Sequence, residues 1–205
     1  MRPAGATFEP VATGRRERKK QELRQRIVDA ANTLIAQQGL ADTTVDQIAE
    51  ACDIAQATFF NYFSSRGALV DALVGQVTEA FNRVLEGMGD TPGTSTIELM
   101  FSATAALAPA EQRVVRDILA ESARNWSDRT LEAISHTRDL HIADIAAAQQ
   151  RGEMRTDRSA EDLADAALGL YFSVLLFWNP GSGEPVTPRL DGTRTLVNDL
   201  LTRPR

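Results

Sequence analysis

Apolar residues recur along this chain at helical spacing, and nowhere with the strict alternation of a strand. Leu23, Ile27, Ala30, Ala31, Leu34 and Ile35 form one stripe, and Gly39 follows as a helix stop because glycine enters the left-handed region at no steric cost. This predicts a first helix from Arg15. Thr44-Val45-Asp46-Gln47 has the form of a capping box, followed by an inner face of Val45, Ile48, Ala49 and Cys52. Asp53-Ile54-Ala55 is a tight connection, and Gln56–Phe63 is a third, short helix. Ser64-Ser65 caps a fourth, whose stripe runs Leu69 or Val70, Leu73, Val74, Val77, Phe81, Val84 and Leu85.

The second half reads the same way. Gly87–Ser95 is a loop rich in glycine. Helices are predicted over Thr96–Ala108 and Glu111–Asn125, separated by Pro109, and over Asp128–Gln150, ending at Gly152. Ser159–Trp178 opens on a Ser159-x-x-Asp162 box and is strongly apolar. Asn179–Pro188 is a loop, and Gly192 to Thr202 is a last amphipathic segment. The fold class is all-α with about nine helices, and no internal repeat is present. Residues 1–14, with Pro3, Gly5, Pro10 and Gly14 and no periodicity, read as a mobile tail.

Length and composition place the chain among globular proteins. It has 205 residues, 43% hydrophobic and 24% charged. Its single cysteine excludes an intrachain disulfide, and no segment reads as a signal peptide or a membrane span, so a cytoplasmic location is expected. The formal charge of −6 argues on its own against a nucleic-acid partner. Its distribution reverses that inference. Residues 1–26 carry eight arginine and lysine residues against three acids, a net of +5, whereas residues 67–205 carry −7. The Arg15–Lys20 cluster is either a phosphate or minor-groove arm or a solvated run at the start of a helix, and charge alone does not choose between them.

Two short helices joined by a few residues, the second with a polar face on an aromatic one, form a helix-turn-helix. Phe59 and Phe63, four apart, dock that helix. Gln56, Ala57, Phe60 and Asn61 lie on its other sides. Glutamine and asparagine read adenine through paired donor and acceptor groups, and an alanine methyl packs on thymine. The stretch RQRIVDAANTLIAQQGLADTTVDQIAEACDIAQATFFNYFSSRGALVDAL resembles the DNA-binding domain of the TetR family of bacterial regulators. The likeness lies in the stripe ending Gln-Gly-Leu, in Thr-Thr-Val-x-x-Ile-Ala, in the turn ending at Ile54, in Ala-Thr-Phe-Phe-Asn-Tyr-Phe and in Ala-Leu-Val.

The resemblance implies base and phosphate contacts at Gln56, Ala57, Thr58, Phe60, Asn61 and Tyr62, with phosphate held at Thr44 and at Arg66. The sequence departs from the family's habits in four places. Ala55 stands where a serine cap is common, Phe60 where tyrosine is common, Tyr62 where histidine is frequent, and Gly67 where an acid is frequent. The bland readings are Phe60 as core and Gln56 and Asn61 as solvated polar residues.

The resemblance assigns residues 15–66 to DNA binding and 67–205 to effector binding and dimerisation. An apolar helix at Ala166–Trp178 and a second apolar face of Leu190, Leu196, Val197, Leu200 and Leu201 are buried economically in a two-fold homodimer. Candidate effector-lining residues are Phe101, Trp126, His136, His141 and Phe172, with Tyr171 and Trp178 beside them. The plain alternative for each is packing. His136 and His141 are five apart and share no helical face, so no metal site is expected. Cys52 reads as core. No cofactor or catalytic motif is present: there is no phosphate-binding loop, dinucleotide fingerprint or nucleophile elbow. The expected partners are a double-stranded DNA operator, a small-molecule effector of unknown identity and a second copy of the chain, with no membrane. The expected function is a transcriptional regulator, a repressor released from a pseudo-palindromic operator by that effector. The rival is a helix-turn-helix that docks a protein, or a helical ligand-binding protein without an operator.

Overall fold

The computed structural model describes residues 11–88, 95–124 and 127–202. Among the described residues nine α-helices run in order: α1 (Val11–Gln38), α2 (Val45–Ala51), α3 (Gln56–Tyr62), α4 (Arg66–Met88), α5 (Thr96–Ala106), α6 (Pro109–Arg124), α7 (Asp128–Gln150), α8 (Ala160–Leu176) and α9 (Thr187–Leu201). A single 3-10 turn, Pro180–Ser182, precedes α9, and the described residues contain no strand.

The helix boundaries follow local chemistry. Gly39 takes φ +89° and closes α1, its N–H donating to the Ile35 carbonyl at 2.8 Å. The Thr44 capping box is complete. The Gln47 N–H donates to Thr44 Oγ1 at 3.3 Å, and the Thr44 N–H donates to Gln47 Oε1 at 2.9 Å. Ser95, Ser127 and Ser159 cap α5, α7 and α8 through their hydroxyls.

Three boundaries differ from those the sequence predicts. α1 begins at Val11, four residues before Arg15, so Gly14 lies inside a helix rather than in a tail; residues 1–10 lie outside the described residues. Pro109 does not separate two helices but opens α6, where a missing N–H is harmless. Glu111 Oε2 accepts the Ala108 N–H at 2.9 Å just before it. α9 likewise starts at Thr187 with a proline in its first turn, five residues ahead of Gly192.

Two cores form. The first gathers Ile27, Ala31 and Ile35 of α1, Ile48 of α2, Phe59 and Phe63, and Leu69, Val70 and Leu73 of α4. Val114 and Ile118 of α6 complete it, although they lie far along the chain. The second gathers Ile97 and Phe101 of α5, Ile145 of α7, Leu163, Ala167, Tyr171 and Leu175 of α8, and Leu190, Val197 and Leu201 of α9. Buried Gln112 joins α6 to this core, its amide donating to the Thr104 carbonyl and to Thr187 Oγ1, each at 3.2 Å. The apolar α8 is not enclosed on every side within one chain. Ala166, Gly169 and Phe177 are exposed, and Leu170 and Ser173 are half-buried.

Replacing Phe59 by alanine removes a fully buried ring from the first core. Urea unfolding should report a loss of about 3–5 kcal/mol. A loss below about 1 kcal/mol would contradict this packing.

Candidate nucleic-acid interface

α3 has seven residues, and its two sides differ completely in exposure. Phe59 and Phe63 are buried, with ring centroids 5.7 Å apart. Gln56, Ala57 and Asn61 are exposed, and Thr58 and Tyr62 are half-buried. Phe60 is 45% exposed and meets Phe59 edge-on at 5.4 Å, so it is a surface ring rather than core. The outward face therefore combines two amides, a methyl and an aromatic ring. Those groups suit adenine edges and thymine methyls.

The turn that presents this face is tightly held. Asp53 takes φ +52°, a conformation that aspartate tolerates better than most residues, and the Ile54 N–H reaches back to the Ala49 carbonyl at 3.0 Å. Ala55 provides no side-chain cap for α3. Thr44 is exposed at the start of α2 while its hydroxyl caps that helix. Arg66 is exposed at the start of α4, and its guanidinium donates to the Leu40 carbonyl.

Several residues of this region carry no signal in the motif. Arg26 donates to the Cys52 carbonyl at 2.6 Å and ties α1 to the α2–α3 turn. The Arg24 guanidinium lies 4.8 Å over the Phe63 ring. Asp117 of α6 accepts the Leu40 N–H at 3.0 Å, just after Gly39. An arginine or aspartate in a mixed sequence does not disclose which distant backbone group it meets. The Val114/Ile118 pair at i, i+4 is the one readable hint that α6 faces an apolar surface. Cys52 is buried, and burial pushes its thiol pKa up, away from a reactive thiolate.

In the second core, Phe101 is buried and meets Tyr171 edge-on at 5.3 Å, and half-buried Phe172 lies 5.8 Å from Tyr171. The Tyr171 hydroxyl bonds Thr104 Oγ1 at 2.8 Å, and burial raises its pKa to about 12. His141 is 0% exposed. Its Nδ1 lies 2.8 Å from Thr96 Oγ1, which in turn donates to Asp144 Oδ2 at 2.9 Å. With the hydroxyl proton assigned to the carboxylate, Nδ1 carries the imidazole N–H and Nε2 is left as an acceptor. That Nε2 is buried without a hydrogen-bond partner among the described residues. Phe81 lies against the same ring, at 6.2 Å. His136 is exposed, and Trp126 lies outside the described residues. Buried Trp178 donates to the Glu184 carbonyl at 2.8 Å. A cleft of about 270 Å³ opens beside Ser95, Glu98, Asp144, Met154, Asn198 and Leu201, and Phe101, His136, His141 and Phe172 do not border it. Among the described residues no group of His, Cys, Asp or Glu is placed to hold a metal ion, and no helix is long and apolar enough to cross a membrane.

Comparison with known proteins agrees with this geometry. Residues 27–73 match the family model of bacterial regulatory proteins, tetR family. The HTH-type transcriptional regulator EthR of Mycobacterium tuberculosis is 28% identical over 187 residues, 86% of this chain and 84% of that protein. The regulator UidR of Escherichia coli is 25% identical over 191 residues, 89% of this chain and 94% of that one. The structure of Salmonella enterica GusR superposes with a TM-score of 0.64 at 25% identity, covering 88% of this chain and 95% of that one.

Burial lowers the His141 pKa from 6.5 to about 4. The unfolded chain therefore binds this proton at a higher pH than the folded one. The stability that rests on neutral His141 is fully present above about pH 6.5 and is lost as pH falls toward 4. Urea unfolding should show about 3 kcal/mol lost over that window through this group, and His141→Gln should lack that component. Parallel pH profiles for the two proteins would overturn the assignment.

Proposed function

We propose that this chain, whose residues 27–73 match the family model of bacterial regulatory proteins, tetR family, is a DNA-binding regulator of that family, and that it acts as a homodimeric repressor whose α3 reads a pseudo-palindromic operator and whose C-terminal domain releases it on binding a small molecule. The observation that carries the reading is the outward face of α3, with Gln56, Ala57, Phe60 and Asn61 exposed opposite buried Phe59 and Phe63. Gln56 and Asn61 read adenine, and Ala57 and Phe60 pack on thymine methyls. Thr44, Thr58, Tyr62 and Arg66 hold backbone phosphates around them.

Dimerisation follows from the face that one chain leaves open. Phe177 is 79% exposed and Leu196 60% exposed. A Cβ added at Gly169 of α8 or Gly192 of α9 meets no atom within 4 Å, so these glycines keep the face flat for another helix. A two-fold pairing of α8 and α9 buries this surface and sets two recognition helices about 34–36 Å apart, one turn of duplex. The effector works by population shift. It binds the dimer better in the geometry whose recognition helices miss the two grooves. Phe101, Tyr171 and Phe172 offer it apolar contact, and His141 Nε2 offers an acceptor.

Two measurements test this. In binding to an operator enriched from a random-sequence pool, the double variant Gln56→Ala/Asn61→Ala should weaken affinity by about 1–3 kcal/mol for each bidentate base pairing it removes, while its binding to random duplexes stays unchanged. Retained operator preference would overturn the assignment of α3 as the reader. In sedimentation, Gly169→Trp fills space that is open in the single chain but closed in the dimer. It should sediment as a folded monomer, and a persistent dimer would overturn the α8/α9 interface.

A further inference from the structure

α1 is much longer than the core it packs on. Its apolar contacts begin at Leu23, yet the helix starts at Val11, and residues 14–22 are exposed throughout. Those nine residues overhang the helix-turn-helix by about 13 Å at 1.5 Å per residue. The stripe that docks α1 continues into the overhang at the same i, i+3, i+4, i+7 spacing, with its chemistry inverted. Leu23 and Ile27 are preceded on that face by Arg16, Lys19 and Lys20. Glu17 and Glu22 step off the stripe, Arg15 lies at its edge and Arg18 on the opposite face.

The overhang leaves the domain beside the reader. Arg24 stacks on Phe63 at the end of α3, and Arg26 holds the Cys52 carbonyl at the end of α2. These two contacts pin the direction in which α1 emerges. No acidic residue occupies the first turn of α1, and a run of five cations between Arg15 and Lys20, broken only by Glu17, follows it. An isolated helix of this kind gains from an anion at that end. The adjoining anionic surface is the duplex that α3 reads, with a phosphate on each strand for about every 3.4 Å of duplex axis. Arg16, Lys19 and Lys20 lie on one face within about 6 Å of helix axis and present a compact cationic patch to that surface.

We propose that this overhang is a second DNA contact, blind to sequence, in which Arg16, Lys19 and Lys20 bind backbone phosphates flanking the bases read by α3. The proposal rests on the reading of α3 as the DNA reader. It concerns residues that precede 27–73, the stretch matched by the family model. Arginine and lysine on phosphates add affinity and salt dependence without base discrimination.

The test is the triple variant Arg16→Gln/Lys19→Gln/Lys20→Gln. All three positions are exposed and glutamine keeps helix propensity, so the fold is preserved. Binding is measured over a salt series on random-sequence duplexes and on the operator enriched from a random pool. The slope of log affinity against log salt should flatten by about 0.9 for each phosphate no longer neutralised, up to about 5 for both arms of a dimer. Affinity should fall about ten-fold or more at physiological salt, by the same factor on both duplexes, leaving their ratio intact. A slope within about one unit of the parent protein's, or a loss confined to the operator, overturns the arm. A parent protein that shows no operator preference overturns the reader instead, so the two failures are distinguishable.

Discussion

A seven-residue helix does not hold itself in water, because nucleation fixes several residues before the hydrogen bonds repay it. The recognition helix α3 therefore exists through the two rings it buries. Phe59 and Phe63 each contribute on the order of 1.5–3 kcal/mol by leaving solvent. Being four apart, they also define which side of the helix faces out. Gln56, Ala57, Phe60 and Asn61 are presented because those rings are not. The proposed reading of DNA and the stability of the first core thus depend on one docking, and a change that loosens the pocket disorders the outward face without touching it.

That pocket is not closed by the N-terminal helices alone. Val114 and Ile118 enter it from α6, and Asp117 beside them accepts the Leu40 N–H at the α1–α2 turn. The Leu40 carbonyl is held from the other side by Arg66 of α4. Leu40, next to Gly39, is therefore gripped by the helix that enters from the body and by the helix that leaves the reader. Interiors packed this closely do not deform smoothly, so a displacement of α6 reaches α1 and α2 as a shift of packed elements rather than dying out in a loop.

The legible parts of the fold are those written in local chemistry. The Thr44–Gln47 box, the Gly39 stop, the Phe59/Phe63 pair and the stripe of α4 each depend on residues within a few positions of one another. The misplaced boundaries at Arg15, Pro109 and Gly192 share a cause. Proline and glycine suggest breakers, whereas proline is at home in a first helical turn and Gly14 lies in a solvent-exposed helix. The contacts from α6, and the placement of Arg24 and Arg26, join residues far apart in sequence and so leave no periodic trace. The aromatics of the body are legible only as a set of candidates, because core and ligand pocket require the same residue types. The structure separates exposed His136 from buried His141, and joins Phe101, Tyr171 and Phe172 in one cluster.

α4 gives the two halves a common frame. Its 23 residues make a rod about 34 Å long. Leu69 to Val74 lie in the first core, and Phe81 lies against His141 beside the second. Side-chain bonds tie it to the long α7 along its length: Ser127 donates to Asp71 at 2.8 Å, and Thr137 donates to Asn82 at 3.1 Å. A tilt of about 10° about its far end moves its near end by about 6 Å. That is more than the roughly 3.4 Å of duplex axis taken up by each base pair. In the proposed dimer two such rods set the spacing of the two α3 faces, so a rearrangement around Phe81 and His141 too small to disturb either core is large enough to change that spacing.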